Sequence, residues 1–145
     1  MTSTENILDM AQSVRGTIKG TFKNLKTQIT YDFLSDWVYR DTQAGKTRFH
    51  GTMVDPELAD KGVSIGLELS SASEMGPEIN WGDEKIVHLS LTKFYPQLFF
   101  RANSGRVKIQ RHLPEDRING SLIFTTVAND GDHYEIDVIY DIEAP

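Results

Sequence analysis

HYEIDVIYDIE, residues 133–143, decides the fold class. Tyr134, Ile136, Val138, Tyr140 and Ile142 fall on every second position, with Glu135, Asp137 and Asp141 between them. Side chains alternate across a strand, so a period of two sets an apolar face against an acidic one. Aromatic and β-branched residues make up the apolar set, which suits a half-buried pleated surface. The segment reads as a strand of an antiparallel sheet, one face on a core and the other in water.

The same period recurs along the chain. TIKGTFKN (17–24) alternates Ile18, Gly20 and Phe22 with Thr17, Lys19, Thr21 and Lys23. QITYDF (28–33) sets Ile29, Tyr31 and Phe33 on one side. TRFHGTMV (47–54) does so with Phe49, Gly51 and Met53, and VSIGLEL (63–69) with Val63, Ile65, Leu67 and Leu69. Further strands are expected at 85–93, 97–102, 106–112 and 121–128, separated by turn-forming clusters such as DTQAGK, DPELADKG, ANSG and ANDGD. Only residues 3–15 have helical spacing, with Ile7, Met10, Ala11 and Val14 on one stripe and Gly16 as a stop. Eight or nine short strands and one short N-terminal helix predict an all-β fold. Its expected form is an antiparallel meandering sandwich or a closed barrel. Without a linker, repeat or low-complexity tract, residues 1–145 read as a single β domain.

Composition excludes several classes of function. The chain has no cysteine, which removes disulfides, thiolate metal sites and cysteine nucleophiles. Its net charge is −6, and no Lys or Arg follows Arg117, a balance unsuited to nucleic acid, which wants a basic face. No apolar run approaches a membrane span. The N-terminal stretch MTSTENILDMAQSVRG has acids where a signal peptide needs a basic region. The expected location is the cytoplasm, or release without a recognisable signal peptide.

Sequence motifs for chemistry are sparse. GVSIG (62–66) matches the pattern of a nucleophile elbow, but Ser64 sits inside an alternating strand with no helix after it, so the strained turn that exposes such a serine is missing. ANDGDHYEID groups Asp130, Asp132, His133 and Glu135, weak metal candidates because their spacing matches no complete ligand set. His112 stands near Glu115 and Asp116 across Pro114, an acid–base pair or a solvated turn. No catalytic set and no cofactor motif emerges.

LTKFYPQLFFRANSG (91–105) is the remaining anomaly. Pro96 interrupts a strand; after it, Leu98 and Phe100 share one face and Phe99 takes the other. Phe94, Leu98 and Phe100 are expected to fill the core, with Arg106 and Lys108 facing the acidic strand at 135–141. That leaves surplus rings near strand ends, Trp37, Tyr39, Trp81, Tyr95 and Phe99, together with Arg101 and Arg111. Rings and arginines carry much of the affinity of binding surfaces. The expected function is therefore a non-enzymatic binding or interaction protein, with a protein partner or self-association first in line. The alternative is a β-barrel holding an apolar small molecule or contacting a lipid headgroup. An enzyme using His112 or His133 with nearby carboxylates stands third.

Overall fold

The computed structural model describes residues 13–42, 45–58, 60–70, 76–94 and 97–145. They form ten strands: β1 (Gly16–Asn24), β2 (Ile29–Leu34), β3 (Trp37–Asp41), β4 (Thr47–Val54), β5 (Gly62–Leu69), β6 (Gly76–Asn80), β7 (Ile86–Lys93), β8 (Leu98–His112), β9 (Arg117–Thr126) and β10 (Tyr134–Ile142). All pair antiparallel in one sheet of order β2-β1-β10-β9-β8-β7-β5-β4-β3, with β6 added beside β8. The sheet curls into a half-barrel rather than the expected sandwich or closed barrel. Its two end strands, β2 and β3, are joined only by Ser35 and Asp36. That link is held over β1 and β4: Ser35 N donates to Ile18 O at 3.0 Å and Asp36 N to Thr52 O at 2.8 Å.

Of the expected helix at 3–15, residues 3–12 lie outside the described residues. Ser13–Arg15 are not helical. Ser13 forms a β-bridge with Tyr39, and Val14 N donates to Val38 O at 3.0 Å.

The inner face of the curl holds the core. From β10 it receives Tyr134, Ile136, Val138, Tyr140 and Ile142, as the alternation requires, and each is at most 3% exposed. Ile18, Phe22, Phe33, Leu89, Leu91, Phe100 and Phe124 join them from neighbouring strands. Phe22 meets Phe33 edge-on at 6.3 Å, and Phe100 meets Tyr134 edge-on at 4.9 Å, geometries that favour the ring quadrupoles.

β8 gives the sheet its corner. ANSG, expected as a turn between two strands, is instead a bulge within one 15-residue strand, between Ala102 and Ser104. The half before the bulge pairs with β7 and the half after it with β6 and β9. Gly105 permits the bend, with φ +141° and a missing Cβ that would stand 2.3 Å from Ile123 O. No other residue fits such a backbone without strain. Arg106 and Lys108 consequently face Glu78 of β6, at 3.5 and 4.0 Å. Their expected neighbour, the acidic strand β10, lies beyond β9.

Candidate functional site: a trough on the outer face of the sheet

β4, β5 and β7 run side by side with β3 beyond one flank and the first half of β8 beyond the other. Their outward residues align in cross-strand rows. One row reads Trp37–Thr52–Ser64–Thr92–Phe99, and the next Tyr39–His50–Gly66–Ser90–Arg101. A third, shorter row reads Asp41–Arg48–Glu68–His88. Small side chains occupy the middle of the first two rows and large ones the ends. The result is a hollow of about 510 Å³ with serine, threonine and glycine on its floor.

Aromatic groups build one wall. Tyr39 stacks on Trp37 at 5.8 Å and on His50 at 4.6 Å, with interplanar angles of 20° and 27°. Phe99 and Phe94 stand on the opposite side. Trp37 is 54% and Phe99 53% exposed. Single exposed rings are commonplace; here Trp37 stands beside the hollow, stacked on Tyr39, and Phe99 lines its other side.

Gly66 keeps the floor low. A Cβ there would sit 3.0 Å from His50 Cβ and 3.2 Å from Phe49 O. Crowding by neighbours pushes the His50 pKa down, with Arg48 pushing the same way and Asp41 opposing. The imidazole is therefore neutral at pH 7, with one nitrogen donating and the other accepting.

The carboxylates of the trough are each tied to a base. Arg48 Nε donates to both oxygens of Asp41, at 2.7 and 2.8 Å, and Lys46 Nζ lies 3.5 Å from Glu68 Oε2. A second hollow, over β8–β10, has a comparable volume of about 540 Å³. Its walls are charged side chains such as Arg106, Glu78, Glu135 and Asp137, with no exposed ring among them.

The residues singled out in the sequence thus divide. Trp37, Tyr39, Phe99 and Arg101 fall on the trough face, at its two sides. Trp81 does not; it follows β6, is partly buried against the core, and its N donates to Gly105 O at 2.9 Å. Tyr95 lies outside the described residues. Phe94, expected in the core, lines the trough instead, because it continues the outward set His88, Ser90 and Thr92 of β7. Leu98 and Phe100 do pack inward, as expected.

Arg111 belongs to a different place, one end of the half-barrel. Its Nε donates to Asp116 Oδ1 at 2.5 Å. Buried Arg40 reaches the same carboxylate at 3.0 Å and also the carbonyls of Asp116 and Glu143, at 2.6 and 3.0 Å. Arg111 first, and Arg40 with it, hold the Asp116 carboxyl below its ordinary pKa against the opposing effect of burial.

Asp130 and Gly131 form the hairpin tip before β10, with φ of 54° and 85°, the two positive values a tight primed turn requires. Asp132 accepts from Asn24 Nδ2 at 3.2 Å, and Glu135 is exposed on the outer face. Asp130, Asp132, His133 and Glu135 do not converge. Among the described residues no group of three or more His, Cys, Asp or Glu is placed to hold a metal ion. Ser64 lies within β5 and forms part of the trough floor, without the turn a nucleophile needs.

One polar cluster had no counterpart in the sequence reading. Lys93 falls on the inward parity of β7, beside Leu89 and Leu91, and is 4% exposed. Its Nζ lies 2.8 Å from Asp55 Oδ2 and also contacts Glu57 Oε1. Glu57 further accepts from Tyr134 OH at 2.7 Å and from Asn24 Nδ2 at 2.8 Å. Burial would raise the Glu57 pKa, but the hydrogen bonds from Lys93, Asn24 and Tyr134 outweigh it and hold the carboxyl below its ordinary value. Burial chiefly, then Glu57, push the Tyr134 phenol far up, so it remains a donor. Asp55 is fully buried, with Oδ2 in the ion pair with Lys93.

No protein-family model, curated protein or solved structure matches this chain. Among the described residues no helix is long and apolar enough to cross a membrane.

Proposed function

We propose that the protein is a non-enzymatic binding protein whose ligand lies in the trough across β4, β5 and β7. One observation carries this reading: Tyr39 of β3, with exposed Trp37 stacked on it, and exposed Phe99 of β8 stand on either side of a floor of small residues, all on the face of the sheet turned away from the core. Concave surfaces with aromatic walls and a few placed polar groups are the usual form of ligand sites. In the trough's third row Asp41 is paired with Arg48 and Glu68 with Lys46, so the small floor residues and the rings make up the rest of the surface a ligand would meet. An apolar cargo inside the curl is the weaker reading, because the inner face is occupied by side chains such as Phe22, Phe33, Phe100 and Tyr134.

The test is an amide-resolved NMR screen of the whole chain against neutral sugars, charged metabolites, amphiphiles and short peptides. Bound compounds are expected to shift the amides of Gly66, Ser90 and Thr92. Binders that shift only residues elsewhere, or a screen without binders, would contradict the proposal.

A further inference from the structure

The class of ligand can be narrowed from the trough itself, an inference that rests on the binding reading above. Charge is the first constraint. Asp41 is balanced by Arg48 and Glu68 by Lys46, and Arg101, at the end of the second row, does not line the hollow. The hollow therefore offers no strong field of one sign to draw in an anion or a cation.

Hydroxyl spacing is the second. Between Trp37 and Phe99 the first row carries Thr52, Ser64 and Thr92 on three consecutive strands. A hydroxyl both donates and accepts, and neutral His50 in the adjacent row does the same. The ligand must therefore bring donors and acceptors repeatedly along its length. An acyl chain would leave these groups desolvated without partners, which is unfavourable.

Shape is the third. The row crosses four strand spacings, roughly 19 Å at about 4.8 Å each, and opens on a sheet face. A peptide that adds a strand would pair its backbone with a sheet edge rather than lie over a face, and a proline-rich peptide, the kind that docks in aromatic grooves, brings few donors to the hydroxyls of the row. What matches is a linear molecule with flat, weakly apolar faces for the rings and hydroxyls along its edges, without net charge.

We infer that the trough binds a neutral oligosaccharide laid across the strands. Within the hollow a sugar ring face rests on Phe99 and sugar hydroxyls meet Ser64, Thr92 and His50; beyond the hollow the ligand continues along the same row over Thr52 onto Trp37. Saccharide units repeat along one axis, as do the hydroxyls across the strands.

The test is calorimetric titration of the full chain with neutral hexasaccharides: α- and β-linked glucans, xylan, mannan and chitin fragments. At least one should bind, with Trp37→Ala weakening it more than tenfold and Phe99→Ala severalfold. Both variants should melt as the parent does, since both rings are more than half exposed. Lys19→Ala, on the outer face of β1, should leave the affinity unchanged. If no neutral hexasaccharide binds at millimolar concentration, or if binding ignores both ring substitutions, the inference fails. A charged or apolar compound whose shifts map to Gly66, Ser90 and Thr92 would sink the saccharide inference and leave the binding reading standing. Ligands that map only elsewhere would sink both.

Discussion

β7 separates two polar regions built on opposite principles. Its inward side ends in Lys93, a buried cation held by Asp55 and Glu57, with Tyr134 and Asn24 completing the carboxylate's bonds. Its outward side carries His88, Ser90 and Thr92, which line a hollow between exposed rings. Inside, Lys93 and Glu57 are held by the chain's own groups; outside, small side chains leave a hollow. The first arrangement stabilises one packing of the half-barrel, and the second is where the proposed ligand would lie. Substitutions only one residue apart in sequence should therefore act on different properties.

The largest effect is expected from Lys93→Met. Removing one member of a buried ion pair typically costs about 3–5 kcal/mol, because the opposite charge stays behind unpaired. Asp55 and Glu57 would both be left so. Denaturant unfolding should register that loss, while ligand affinity, measured where the variant is folded, should stay within twofold. A loss of affinity with unchanged stability would reverse the comparison.

Acid should expose the inner region next. Glu57 and Asp116 have folded pKa values below their unfolded ones. Their contribution is complete above the unfolded carboxylate range, about pH 4–5, and is lost as pH falls through the lower folded values. Unfolding followed by circular dichroism should show stability falling below about pH 4.5. Lys93→Met should move the acid transition to higher pH, since Glu57 then loses a hydrogen bond that lowers its pKa. An acid transition unmoved by that substitution would contradict the assignment.

How much of this was legible in the sequence follows from the physics of alternation. Strands β4 and β10 can be read from their residues because every second side chain enters the core. β3 escapes because its inward position 40 is an arginine, buried against Asp116 and the carbonyl of Glu143, so the apolar alternation is broken. β6 escapes because GPEIN begins with the two residues least suited to strands. ANSG resembles a turn, yet the chain runs through it as a corner that only Gly105 permits.

The rings of the trough were visible as a surplus, but its floor was not. Ser64, Gly66, Ser90 and Thr92 look like an ordinary solvent face until register sets them side by side. Lys93 was hidden for the converse reason: a lysine at a strand end passes for a solvated residue, although its parity with Leu89 and Leu91 points inward.

A smaller effect is expected on the outward side of β7. Thr92→Val keeps the shape of the side chain and removes its hydroxyl. Losing one hydrogen bond typically costs about 1 kcal/mol, so affinity should fall about fivefold with little change in melting. Calorimetry on the pair of proteins checks it; unchanged affinity would remove Thr92 from the contact. The smallest effect concerns His50. With its pKa lowered, the ring stays neutral from pH 8 down to about 6.5, and affinity across that interval should vary by less than twofold. A steep rise towards pH 6.5 would mean that a charged imidazole binds the ligand.

The most direct measurement fills the hollow from its floor. Ser90 lies on the middle row, outward of the core, so Ser90→Trp places a large ring where the ligand should lie. Titration of this variant with the ligand that binds the parent, beside a melting curve, decides the matter. Loss of binding by more than a hundredfold, with the fold intact, is the predicted result. Undiminished binding in a folded Ser90→Trp protein would contradict the trough as the binding site.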